Sequence, residues 1–434
     1  AFTLTTPSPL FRVRIGPNIS GMRFFLPEND DMVDEGYDLL NDEYGETRKD
    51  VYAHEIYGEP TCDGILVTKS VVKEKKANAI ISAGGIGKYL RLPEGMPVMG
   101  DCGAFQFINE EVPPYSCEEI CEYYQTCGFD YGMTLDHLIT TFSLEFDEGN
   151  SLFTQQPSEE MKFRYRLTLD NGKEILRLCN TRKYSFTPIG VVQGWSPQSY
   201  LDGINELIEA GFKYLAIGGM ARGSNSEIEP LLQTIGPIIR ESGVELHFLG
   251  VARFNILEQF KQAGVTSCDS ASTLFQAFKS TKENYHAPDR TYCAVRIPPV
   301  KGDKSPKVSK LLKPLKDDPV AYQKEEDRLY ILEQNALRLV RSYAAGESPL
   351  EEAMKALIIY EEEFGGGKKH YELFEETLRD RPWESCTCKI CQASGVDVVL
   401  LRGNNRNRRR GFHNTWLFYQ GFLERTGRAP KNNA

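Results

Sequence analysis

Eight short apolar runs alternate with longer amphipathic stretches between residues 22 and 270, and this alternation restricts the fold more than any other feature of the chain. The candidate strands are residues 22–26, 64–68, 97–100, 129–133, 188–192, 214–218, 246–250 and 265–269. Between them, Tyr200, Leu201, Ile204, Leu207 and Ile208 keep to one face of a 3.6-residue repeat, and Ile228, Leu231, Leu232, Ile235, Ile238 and Ile239 do the same. Ser196-Pro197 and Ser224-Asn225-Ser226 supply helix-start chemistry, while Gly211, Gly243 and Gly264 stand where helices should stop. Eight strands each followed by a helical pattern predict an α/β chain folded as a closed parallel (β/α)8 barrel rather than an open doubly wound sheet. The last four repeats are clearer than the first four. Residues 301–316, rich in lysine and carrying Pro306 and Pro314, read as a linker or loop; a helical region follows over 319–379, then a cluster of cysteines. The expected organisation is a barrel over residues 1–300 and a helical, metal-binding subdomain over 301–434.

The cysteine cluster is the second constraint. Cys386-x-Cys388-x-x-Cys391 places three thiols within one turn, and His413 completes a tetrahedral Cys3His set for a structural zinc ion. Four protein ligands leave no open coordination position, so the metal holds structure rather than performing chemistry. The competing reading is three unrelated buried thiols. The total of 11 cysteines is odd, and no signal-like apolar stretch is present, so reduced thiols and a cytoplasmic location are expected. No apolar run is long enough to cross a bilayer, which excludes membrane spans as an expectation. Among the histidines, His54, His247, His286 and His370 read as structural or surface residues, and His137 as packing beside Asp136.

A net charge of −10 argues against a nucleic-acid partner, but its distribution argues the other way. Arg402, Arg406, Arg408, Arg409 and Arg410 crowd one stretch, and Lys301, Lys304, Lys307, Lys310, Lys313 and Lys316 recur every third residue. Both are candidate phosphate-binding patches. Solvated charged loops are the plainer alternative.

In a parallel barrel the chemistry gathers at the carboxyl ends of the strands. Those ends carry Asp101, Asp136, Gln193, Gly218-Gly219, Gly250-Val251 and Asp269. Each aspartate alone reads equally well as a cap on the next helix. Three facing one pocket suit substitution at a sugar anomeric carbon, where one carboxylate forms a covalent glycosyl intermediate and another shuttles protons. Gln193 and the side-chain-free backbone of Gly218 and Gly219 suit the hydrogen-bonding edge of a flat heterocycle.

Gly100-Asp-Cys-Gly-Ala-Phe-Gln106 resembles the aspartate–glycine–phenylalanine–glutamine turn of the tRNA-guanine transglycosylase superfamily. Gly190-Val-Val-Gln-Gly194, Leu215-Ala-Ile-Gly-Gly219, Leu249-Gly-Val251, Cys268-Asp-Ser270 and the cysteine–histidine cluster follow in that family's order, so the resemblance covers residues 98–413. It implies an irregular (β/α)8 barrel with a zinc subdomain that exchanges guanine in a nucleic acid for a 7-deazaguanine. On this resemblance Asp269 is the nucleophile and Asp101 the general acid/base. Asp136 binds the guanine edge with Gln193, Gly218 and Gly219, and Phe105 and Met220 sandwich the ring. Cys102 and Cys268 are expected only to line the pocket wall.

Departures from the tRNA enzymes point to a DNA substrate. Their aspartate–serine–glycine–glycine turn is Asp101-Cys-Gly-Ala104 here, and Ser270-Ala-Ser-Thr-Leu-Phe275 replaces the arginine-rich stretch after the nucleophile. The segments Arg406-Asn-Arg-Arg-Arg-Gly-Phe-His413 and Tyr292-Cys-Ala-Val-Arg-Ile-Pro298 resemble the DNA-directed branch of the superfamily. The implied partners are DNA and a free base such as 7-cyano-7-deazaguanine, with proteins of a DNA-modification system as further candidates. A tRNA substrate is the alternative, and a non-catalytic zinc-containing nucleic-acid-binding protein is a second. A stacked guanosine cannot reach a barrel pocket, so its nucleotide must be flipped out or single-stranded, and the residue 402–410 arginines are expected to hold the phosphates.

Overall fold

The computed structural model describes residues 21–147, 156–365 and 367–428. Eight parallel strands close into a barrel: β1 (Arg23–Pro27), β2 (Gly64–Thr68), β3 (Val98–Asp101), β4 (Tyr131–Met133), β5 (Thr187–Val192), β6 (Tyr214–Ile217), β7 (Glu245–Phe248) and β8 (Ser267–Asp269). Each pairs with the next, and β8 closes on β1. All eight expected strands are present, with ends moved by one or two residues.

Alternation along each strand divides the side chains between two cores. Phe25, Leu66, Met99, Met133, Ile189, Val191, Tyr214 and Ala216 fill the barrel interior. Their strand neighbours Phe24, Ile65, Val67, Val98, Leu215, Ile217, Leu246 and Phe248 join the outer core with the surrounding helices. Those helices are α1 (Glu74–Ser82), α2 (Cys117–Cys127), α3 (Glu159–Arg182), α4 (Pro197–Ala210), α5 (Asn225–Ser242), α6 (Leu257–Ala263) and α7 (Ser272–Lys279). Ser196 caps α4 as expected, accepting from the Ser199 backbone, and Gly211, Gly243 and Gly264 end α4, α5 and α6 in the left-handed conformation. Gly100 and Gly132 are register partners on β3 and β4, and a Cβ on either would stand 2.3 or 2.4 Å from the Tyr124 ring. Their bareness lets α2 seat that ring against the sheet, where its hydroxyl donates to the Met133 carbonyl.

Residues 301–316 are not a linker. Ser305 caps α8 (Pro306–Leu312), and Val308 and Leu312, four apart on one face, are fully buried. The expected helical region follows as α9 (Pro319–Ala344), α10 (Leu350–Glu362) and α11 (Lys368–Asp380). These pack in a second core that also takes Val33, Val51 and Tyr57 from the connection after β1, and Tyr285, Val295 and Ile297 from the stretch after α7. The last helix, α12 (Asn404–Arg425), joins the two cores: Phe412 lies in the second, and Phe418, Tyr419, Phe422 and Leu423 lie in the barrel's outer core. No described helix is long and apolar enough to cross a membrane.

Candidate active site and metal centre

The period-2 alternation that fills the barrel also builds the polar cluster at its mouth. Thr68, Asp101, Gln193 and Asp269 lie two residues beyond the inward-facing Leu66, Met99, Val191 and Ser267, so their side chains emerge together at the carboxyl ends of the strands. Asp101 is the register partner of Thr68 and accepts a 3.0 Å hydrogen bond from its hydroxyl. Burial, reinforced by the nearby Asp136 and Asp269 charges, pushes the Asp101 carboxyl up to about 7, against the opposing pull of the Gly103 backbone N–H and Thr68. A carboxyl poised there gives and takes protons at neutral pH.

Asp136 is 4% exposed on the loop after β4, and both its oxygens are engaged. Oδ1 accepts from the Cys102 thiol at 2.9 Å and Oδ2 from Gln193 Nε2 at 2.6 Å. Burial raises its carboxyl above the ordinary range. Cys102 is therefore a hydrogen-bond donor within the site as well as a wall residue. The Gln193 amide is locked at its other end too, since its Oε1 accepts from the Ile139 backbone N–H. Gly218 and Gly219 lie directly against it: a Cβ on Gly218 would stand 2.3 Å from Gln193 Nε2, and Gly219 has a φ of +81°. In this structure the glycines make room for the glutamine, and Gly219 stays partly exposed.

Asp269, 5% exposed, ends β8. Its Oδ1 accepts from the Gly250 backbone N–H at 2.8 Å and faces His247 Nε2 at 3.1 Å. No hydrogen bond reaches Oδ2 from the described residues. His247, expected to be structural or on the surface, is fully buried inside the barrel and faces Asp269. The signal for it was available: it sits between Leu246 and Phe248, so alternation turns it inward. Phe105 stands 52% exposed on the turn after β3, whereas Met220 is 1% exposed and packed in the outer core. The two do not form matched walls.

Cys386, Cys388, Cys391 and His413 converge as expected, their ligand atoms all within 4.8 Å of one another. The three sulfurs lie 3.6, 3.4 and 3.4 Å from His413 Nδ1. A tetrahedral ion with metal–sulfur bonds of about 2.3 Å and a metal–nitrogen bond of about 2.0 Å puts sulfur and nitrogen roughly 3.5 Å apart, so the set fits such an ion. The other imidazole nitrogen points at the His286 carbonyl at 2.8 Å, which holds its proton on Nε2 and leaves Nδ1 free to ligate. The Cys391 backbone N–H donates to Cys388 Sγ, and the Tyr285 ring stacks on the imidazole.

The arginine stretch corrects the expectation. Residues 404–410 are the first turns of α12, not a loop, and four of the five arginines are buried: Arg402, Arg406, Arg409 and Arg410. Arg402 pairs with Glu333 and Asp42, and Arg406 with Asp397 and Asp42. Arg409 donates to the Asp34 carbonyl. Arg410 donates to the carbonyls of Ala277, Val398 and Leu400, and burial pushes its guanidinium down to about 9. These side chains tie remote segments together instead of facing solvent. Arg408 alone keeps a 34% exposed side chain, and it donates to the Met32 carbonyl. Lys307, Lys310, Lys313 and Lys316 are exposed, while Lys301 and Lys304 pair with Asp327 and Glu326.

No family model matches the chain. Over 418 residues it is 36% identical to a protein from Salmonella montevideo named DNA-guanine transglycosylase, and the match covers 92% of this chain and 96% of that protein.

Proposed function

The chain belongs to the DNA-guanine transglycosylase family, and from that membership we propose that it replaces guanine in DNA with a 7-deazaguanine base through a covalent intermediate on Asp269. The observation that supports this mechanism best is the convergence of Asp101, Asp136 and Asp269 on one barrel mouth, with Asp101 poised near neutrality. Asp269 Oδ2 attacks C1′ of the target nucleotide, the glycosidic C1′–N9 bond breaks, and its electron pair leaves with guanine, which takes a proton from Asp101. The incoming base gives its N9 proton back to Asp101 and attacks C1′, and the C1′–Oδ2 bond breaks to restore the Asp269 carboxylate. Two displacements at one carbon retain its configuration. Asp136 accepts from the N–H donors along the guanine edge, with Gln193 beside it and the exposed Phe105 stacking on the base face.

The target nucleotide reaches this mouth only when flipped or single-stranded, at a cost of a few kcal/mol. With the arginines turned inward, the exposed lysines of α8 and the following turn, together with Arg408, are the groups that we assign to the phosphates. The Cys3His site holds Zn2+, a closed structural ion that takes no part in the chemistry. It braces α12, whose Gly411 backbone comes so close to α7 that a Cβ there would stand 2.7 Å from Leu274. Helix α7 starts three residues after Asp269, so the metal supports the nucleophile from outside the barrel. Three thiolate ligands call for a reducing compartment, and we assign the protein to the cytoplasm.

The test is uptake of radiolabelled guanine into DNA and into unmodified tRNA, by the wild-type protein and by Asp269→Asn. Labelling of DNA that Asp269→Asn abolishes is the expected result. Labelling of tRNA alone overturns the substrate, and labelling of neither polymer favours a binding protein without catalysis.

A further inference from the structure

We propose that His247 is a positioning residue that holds Asp269 Oδ1 so that Oδ2 alone meets the sugar, and that its tautomer is set by a hydrogen-bond chain running from the opposite end of the barrel. This rests on the assignment of Asp269 as nucleophile.

The chain follows from strand register. On neighbouring strands, Arg23 pairs with Ser267 and Ser267 with His247. Arg23, on β1, pairs with Glu245 at the strands' amino ends and reaches the Tyr214 hydroxyl at 3.4 Å. That hydroxyl lies 2.5 Å from Ser267 Oγ, which lies 2.7 Å from His247 Nδ1, and His247 Nε2 lies 3.1 Å from Asp269 Oδ1. A guanidinium only donates, and an ionised carboxylate only accepts. One direction satisfies both ends and every link, and we assign it: Arg23 donates to Tyr214, Tyr214 to Ser267, Ser267 to His247 Nδ1, and Nε2–H to Asp269. Nδ1 is an acceptor in this arrangement, which describes a neutral imidazole with its proton on Nε2.

With the Gly250 backbone N–H, His247 fills the acceptor sites of Oδ1 and fixes the plane of the carboxylate. His247, Ser267 and Tyr214 are at most 2% exposed, so bulk water does not compete with these links. The same two donors stabilise the carboxylate that forms again when the glycosyl ester breaks.

Guanine exchange into DNA separates this role from mere packing. Wild type and Asp269→Asn are compared first: an Asp269→Asn variant that still exchanges guanine rejects the nucleophile and not the chain alone. His247→Leu should lower kcat roughly 10- to 100-fold while KM for DNA and for guanine stays within about twofold. His247→Gln, whose amide nitrogen reaches the place of Nε2, should recover most of that loss. His247→Asn, which reaches only the place of Nδ1, should not. A Leu variant with wild-type kcat, or a Gln variant as slow as Leu, overturns the proposal. If Leu prevents folding, Ser267→Ala and Tyr214→Phe decide: each should lower kcat several-fold at unchanged KM, and wild-type kcat in both overturns it.

Discussion

Thr68 and Asp101 face each other across β2 and β3, and the threonine hydroxyl donates 3.0 Å to Asp101 Oδ2. The bond holds the carboxyl in place while burial and two neighbouring aspartates keep it readily protonated near pH 7. Exchange needs both of its states, the acid when guanine leaves and the base when the new base enters. The rate of guanine exchange should therefore pass through a maximum near pH 7 and fall on both sides. A pH–rate profile of the wild type measures this, and a flat profile from pH 5 to 9 would remove Asp101 from the proton path.

The same raised carboxyl has a consequence for stability. Asp101 binds its proton more tightly folded than unfolded, so its ionisation weakens the fold progressively as pH rises from about 4 to about 7, and the penalty is constant above that. Asp101→Asn removes the penalty. The variant should lose exchange yet gain about 1–3 kcal/mol of stability at pH 8, with a smaller gain at pH 5. Urea unfolding at the two pH values checks the sign; a variant less stable than wild type at pH 8 contradicts it.

Arg410 and the α8 lysines should separate stability from DNA affinity. Arg410→Ala strands the carbonyls of Ala277, Val398 and Leu400 in the interior and should cost about 3–5 kcal/mol. Replacing Lys307, Lys310, Lys313 and Lys316 with glutamine should leave stability within about 0.5 kcal/mol per site. It should weaken DNA binding and flatten its dependence on salt, by about 0.9 in slope for each phosphate no longer neutralised. Affinity measured across a salt series with no change in slope would take these lysines out of the interface.

Metal removal should act on structure before chemistry. The wild-type protein should carry one zinc per chain by elemental analysis, and His413→Ala should carry less. Stripping the ion with a strong chelator should loosen α12 from α7 and reduce exchange in step with thermal stability. A fully stripped protein with an unchanged melting temperature would show that the cluster does not brace the fold.

The barrel was legible because its signals are local. Apolar runs, the 3.6-residue stripes between them and helix-stop glycines are contained in a few consecutive residues. The aspartates at the strand ends and the cysteine triad were readable for the same reason. What escaped depends on partners far along the chain. Arg402 and Arg406 look like surface charge until Asp42, Glu333 and Asp397 are brought to them, and none of those three announces itself as a partner. His247 looked ordinary because its role is set by the register that puts Ser267 beside it. In residues 301–316, repeated lysines outweighed the spacing of Val308 and Leu312 that forms α8.

The whole mechanism rests on a covalent bond between Asp269 and C1′ of the nucleotide. The direct measurement is to incubate the protein with a DNA oligonucleotide, denature it rapidly, digest it, and identify by mass spectrometry the peptide that carries the nucleic acid. An adduct is expected on the peptide containing Asp269, formed on the way to guanine exchange and absent from Asp269→Asn. An adduct on another residue, or rapid exchange with no adduct at any time point, would contradict it.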